Sequence, residues 1–147
     1  VLRCQCRTRV DRFFYAKNAG RWGLNWSNYP NFGPAEFSCS HCGELKIDES
    51  FLAILQEIRN QIAKPLRITS GYRCPIHNQN VSSTGADGPH TTGRAADIGI
   101  QGADAWALLR IAATFPEIRG IGVNQKGRAR FIHLDTLTHN RPTVWSY

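Results

Sequence analysis

No stretch of about eighteen consecutive apolar residues occurs in the 147-residue chain, so the sequence holds no membrane-spanning helix. Internal repeats and low-complexity tracts are also missing, which excludes a solenoid and a compositionally disordered chain. The first residues, VLRCQCRTRV, are basic and lack the apolar core of a signal peptide. Because the chain starts at Val1 rather than at methionine, an already removed leader or preceding domain is compatible with it, and export stays open. Acidic residues are scarce: 11 against 18 lysines and arginines, a formal charge of +7. That balance favours polyanionic surroundings. It fits nucleic acid, a phosphate- or carboxylate-rich cell wall, or simply a solvated basic tail around Arg3, Arg7, Arg9 and Arg12.

What is present fits one domain with one hydrophobic core. Residues 1–35 read as a basic, aromatic, irregular extension. Its rings are expected to pack on the domain surface, with stacking on bases or sugars as the alternative. Residues 36–147 read as the domain proper. Phe51, Leu55, Ile58 and Ile62 form a helical stripe in DESFLAILQEIRNQIAKP, with Asp48 as cap and Pro65 as stop. LRITSGYR alternates like a strand. Residues 75–93 read as a long polar loop. RAADIGI then reads as a strand and ADAWALLRIAATF as a second helix, with Trp106, Leu109 and Ala113 on its buried face. GIGV and RFIHLD are two further short strands, and TVWSY a candidate edge strand. The order predicts a small α+β domain, helices packed on an antiparallel sheet.

Five cysteines is an odd number. Cys4 and Cys6 are too close for an easy mutual bridge. Cys39, Cys42, Cys74 and His77 spell CxxC…CxxH, which suits a structural zinc. A disulfide from Cys74 to Cys39 or Cys42, or plain buried thiols, is the competing reading, since only one CxxC is present.

The stretch GPHTTGRAADIGI carries His90 and Asp97 seven residues apart. A helix would separate them by ~10 Å, so a loop leading into a strand must bring them together. A hydrolytic zinc takes three protein ligands and keeps one position open. His133, in FIHLD, shares a strand face with Phe131, opposite Ile132 and Leu134. It is the third candidate beside His90 and Asp97.

SGYRCPIHN, HTTGRAAD and FIHLD, in this order and spacing, resemble the motifs of the zinc D-Ala-D-Ala peptidases. FGPAEFSCSHCGE followed by a helix resembles the domain start in their short, single-domain branch, often phage or prophage encoded. The resemblance runs over roughly residues 32 to 147. It implies a hedgehog- and DD-peptidase-like α+β fold, a Zn2+ cofactor, and zinc ligands His90, Asp97 and His133. Arg73 matches the arginine that holds the substrate carboxylate or the developing oxyanion. Asp135, two residues past His133, matches an acid that serves as general base or else orients a ligand imidazole. His139 is an alternative ligand if the register slips. Two departures stand out: Gly88 and Pro89 replace the usual S-x-H serine context, and SSTGADG replaces a glycine-rich VGG turn, leaving Asp87 as a turn residue. The implied activity is hydrolysis of peptidoglycan stem or cross-bridge peptides, in the cell envelope, periplasmic, extracellular or phage-associated; the oligomeric state is open, with a monomer expected. The alternatives are a non-catalytic zinc-containing module of this fold that binds wall or protein, and, less favoured, a nucleic-acid binder.

Overall fold

A computed structural model describes residues 24–147. The arginine-rich arm, Cys4 and Cys6 lie outside the described residues. Elements in chain order are α1 (Pro34–Phe37), α2 (Glu49–Ile62), β1 (Arg67–Ser70), α3 (Pro75–Val81), β2 (Ala95–Gly99), α4 (Gly102–Ala112), β3 (Gly120–Asn124), β4 (Phe131–Asp135) and β5 (Thr143–Ser146), with 3₁₀ turns at Trp26–Asn28 and Pro89–Thr92. Among the described residues no helix is long and apolar enough to cross a membrane.

The longest helix forms as its sequence dictates. The Asp48 carboxylate accepts the Phe51 amide, satisfying a free N-terminal donor, and Ala63 closes the other end in a left-handed conformation two residues before Pro65. Its stripe of Phe51, Leu55, Ile58 and Ile62 is buried, with Leu52 beside it. The other long helix, α4, turns a different face inward: Ala105, Leu108 and Ala112 are buried, whereas Trp106 is 65% exposed. The expected face was one position off. Two alanines and a leucine face the core, and the bulkiest side chain of the helix is on the outside.

The five strands form one sheet in the order β1-β2-β4-β3-β5. Neighbours among the first four are antiparallel, but β5 runs parallel to β3, so the sheet is mixed and not purely antiparallel as expected. The cause is positional: β4 is flanked on both sides, so a chain that reverses after it finds its next free edge beyond β3. Residues 75–93 are likewise more ordered than a loop, since Cys74 caps α3 and Pro75 occupies its first turn.

Strand alternation separates two faces. Ile68, Ala96, Ile98, Ile132 and Leu134 point into the core with the two long helices, joined by Tyr29 and Phe32 from ahead of α1. The opposite face of the central strands carries Asp97, His133 and Asp135. On β3 this second face is glycine: a Cβ at Gly120 would meet the Asp135 carboxylate at 2.2 Å, and one at Gly122 the Trp145 indole at 2.7 Å. Side chains on the neighbouring strands occupy that space.

Candidate active site

Strand pairing sets the first contact. Asp97 of β2 lies directly opposite His133 of β4, and both side chains leave the sheet on the polar face. The 3₁₀ turn at Pro89–Thr92 then lays His90 over them, anchored where the Arg73 amide donates to the His90 carbonyl at 3.1 Å. His90 Nε2 lies 3.2 Å from Asp97 Oδ1 and 3.2 Å from His133 Nδ1, and His133 Nδ1 lies 2.9 Å from the same carboxylate oxygen. All three residues are buried.

The outward nitrogens decide which ring atoms carry protons. His90 Nδ1 faces the Gly71 carbonyl at 2.7 Å, and a carbonyl can only accept, so Nδ1 holds the proton. His133 Nε2 faces Asp135 Oδ2 at 3.1 Å and donates to it for the same reason. The lone pairs of His90 Nε2, His133 Nδ1 and an Asp97 oxygen therefore converge on one point. That crowding is unfavourable between bare donors and is relieved by a cation. Two imidazoles and a carboxylate form a borderline-hard donor set suited to zinc, and both rings have the outer partners that fix metal-binding imidazoles. The structure thus brings together the three ligands expected from the sequence; His139 lies outside this cluster.

Electrostatics follow the geometry. Burial disfavours a charged Asp97, but without a metal the hydrogen bond from His133, whose protonated form is favoured, outweighs this and holds the carboxyl well below the usual carboxylate range; a cation would take the place of the proton on His133 Nδ1. Burial lowers His90, so the imidazole stays neutral and able to ligate. For His133, burial is opposed and exceeded by Asp135 and Asp97, which raise it. Arg73 lies alongside: Nη2 donates to Asp97 Oδ2 at 2.8 Å and Nε to Ser70 Oγ at 2.8 Å.

Asp135 is fully buried, and its two oxygens are taken by His133 Nε2, the Leu137 amide and the Arg141 guanidinium, whose Nη2 is 2.6 Å from Oδ2. Burial alone would raise its pKa. The bonds from His133 and Arg141 instead bring it to about 2. It sits behind the His133 ring, away from the convergence point, and does not border the cavity. Of the two roles expected for it, this position suits orienting the ring and is wrong for taking a proton from solvent.

The cluster floors a cavity of about 990 Å³, bordered by Arg73, Asp87, His139, Arg141, Trp145 and Tyr147 among others. Among the described residues, Asp87 and His139 are the acid and imidazole on its wall outside the cluster. The sequence reading missed three of these. Arg141 also stacks over Trp145, 5.1 Å from its ring centre, and Trp145 lies 5.1 Å from the His133 ring. The available signal was the period-two spacing of Trp145 and Tyr147, which puts both aromatics on one strand face. Gly88, the departure from S-x-H, has no room for a side chain: a Cβ would lie 2.2 Å from Thr84 Oγ1 and 2.8 Å from Asn78 Nδ2. Thr84 of the unusual insert and Asn78 of α3 fill that space.

The three cysteines of the CxxC…CxxH set also gather, with His77 beside one of them. Cys39, Cys42 and Cys74 are unbridged, with their sulfurs within 4.8 Å of one another, and His77 Nδ1 is 3.4 Å from Cys39 Sγ.

Comparison with curated proteins finds no match. A protein-family model described as Peptidase M15 matches residues 30–135, which spans both donor clusters and all four strands of the antiparallel part of the sheet. With that match over most of its length and an imidazole–carboxylate set suited to zinc at the floor of a cavity, the chain belongs to the peptidase M15 family, a family of zinc peptidases.

Proposed function

We propose that this metallopeptidase hydrolyses the stem or cross-bridge peptides of peptidoglycan, as a D,D-carboxypeptidase or endopeptidase, and works at the cell envelope or is carried to it by a phage. The observation that carries the reading is the meeting of three metal-facing lone pairs and a half-buried arginine at the base of one open cavity. His90, Asp97 and His133 would hold zinc, which supplies Lewis acidity toward a peptide carbonyl and toward the attacking water. The other residues are then assigned by position. Arg73 is already fixed by Asp97 and Ser70, so it can bind an anionic oxygen without reorganising, whether that is a terminal carboxylate or charge developing on the scissile carbonyl. Asp135, clamped by Arg141, keeps the His133 ring in the orientation that presents Nδ1. Trp145 and Tyr147 form an apolar wall able to shield the reacting bond from bulk water. Among the described residues outside the cluster, Asp87 and His139 border the cavity as proton acceptors. The net charge of +7 favours docking on an anionic wall.

Digestion of purified peptidoglycan with the zinc-loaded chain, read by mass spectrometry, tests the proposal. Loss of terminal D-alanine or cleavage of cross-links, absent in His90→Ala, is the expected result. Intact muropeptides together with retained wall binding would show a non-catalytic binding module instead.

A further inference from the structure

We propose that the chain carries a second metal site, a closed structural zinc held by Cys39, Cys42, Cys74 and His77, separate from the cavity. Two local structures build it. The segment 38–45 folds back on itself through a bridge between Ser38 and Leu45, and Gly43 (φ +76°) makes the left-handed turn after CxxC. The turn closes with the Gly43 amide on the Cys39 carbonyl at 2.7 Å and the Cys39 amide on the Glu44 carbonyl at 2.8 Å. Cys74 and His77 come from the N-cap and first turn of α3, three residues apart and so on one side of it.

The three sulfurs lie within 4.8 Å of one another, and His77 approaches the set at Cys39. Zinc–sulfur and zinc–nitrogen bonds of ~2.3 and ~2.05 Å place adjacent sulfur and nitrogen ligands ~3.6 Å apart. Cys39 Sγ and His77 Nδ1 are 3.4 Å apart. Backbone amides are aimed at the sulfurs: the Cys74 amide donates to Cys39 Sγ at 3.3 Å and the His77 amide to Cys74 Sγ at 3.5 Å. Those amides meet sulfur lone pairs, as suits thiolates that carry charge to a metal. Cys39 and Cys74 are almost fully buried, and Tyr72 and Ile76 cover them. A closed site with three soft donors holds zinc but leaves no position for a substrate.

Two histidines compete for the fourth corner. His41 Nδ1 is 3.5 Å from Cys74 Sγ, but His41 is exposed on the turn, whereas His77 is half-buried on the helix. His77 is the assigned ligand. The consequence reaches the catalytic side, because Cys74 directly follows Arg73: a metal there would tie the segment 38–45 to the loop that presents the guanidinium.

Cobalt substitution tests this in the full chain with Cys4→Ser and Cys6→Ser, so that thiolate signals come only from the described cysteines. His90, Asp97 and His133 contain no sulfur, so failure of the catalytic reading cannot mimic failure here. The expected results are two metal ions per chain, a sulfur-to-cobalt charge-transfer band, and strong visible bands of a tetrahedral site. His90→Ala should lose one ion and keep the sulfur band. Absence of the sulfur band, or fewer than three titratable thiols in the unfolded chain under non-reducing conditions, would overturn the proposal. His77→Ala should shift and weaken the visible bands while His41→Ala leaves them unchanged. The reverse pattern would overturn the assignment of His77.

Discussion

The two donor clusters of this domain differ in what surrounds them. His90, Asp97 and His133 present nitrogen and oxygen donors to a cavity of about 990 Å³. Cys39, Cys42 and Cys74 present sulfur donors to one another under Tyr72 and Ile76. The first has an arginine at its edge and a carboxylate behind a ring; the second has backbone amides on its sulfurs. A metal that must meet substrate needs an incomplete shell, open space and oriented charge, whereas one that holds chain segments together needs a complete shell and no access. Arg73 and Cys74, adjacent in sequence, belong one to each.

The comparison can be broken most severely at the open cluster. His90→Ala should abolish peptide hydrolysis while thermal unfolding remains cooperative, checked by turnover and calorimetry on the same sample. Retained turnover would remove His90 from the reaction. Next in size, Arg73→Ala should lower kcat/KM by about 10²–10³-fold with the metal still bound, the usual loss when one oxyanion donor is removed. Arg73→Lys should recover little, because a point charge cannot hold Asp97 and Ser70 while also facing substrate. Asp135→Asn should weaken zinc binding about 10–100-fold, measured by competition with a chelator, since the His133 ring loses its anionic partner.

Asp135 also predicts a pH effect, with a definite sign. Its folded pKa is about 2, below the ordinary ~3.9. Its stabilisation of about 2 kcal/mol is therefore present above pH ~4 and lost as the pH falls toward 2. Acid unfolding of Asp135→Asn, compared with the parent chain in the absence of metal, should be shallower through that window. The smallest effects belong to the outer helix. Trp106→Ser should change stability by no more than about 0.5 kcal/mol, whereas Leu108→Ala should cost about 2–5 kcal/mol. Equal losses in chemical denaturation would contradict the inward face seen in α4.

Much of this was legible in the residues. The stripe and cap of α2 and the alternation of β4 follow from local pattern, and the three candidate ligands from the resemblance of their motifs to a known family. Other features were not, for identifiable reasons. Alanines and leucines occupy several faces of α4, so periodicity alone did not choose between Trp106 and Leu108. The polar stretch 75–93 hides a helix because its signal is a cap at Cys74 and a first-turn proline, not an apolar stripe. Arg141 and Trp145 reach the site only because β5 sits beyond β3, a pairing between residues distant in the chain.

By itself the sequence determined which atoms could ligate and which face of each strand they leave, because side-chain direction alternates with every residue. Only the tertiary structure decided that Asp97 faces His133, that Asp135 lies behind the ring and not in the cavity, and that the cysteines close on themselves. Those outcomes depend on strand register, burial and the direction of the second nitrogen of each imidazole. None of the three is encoded in any short stretch of chain.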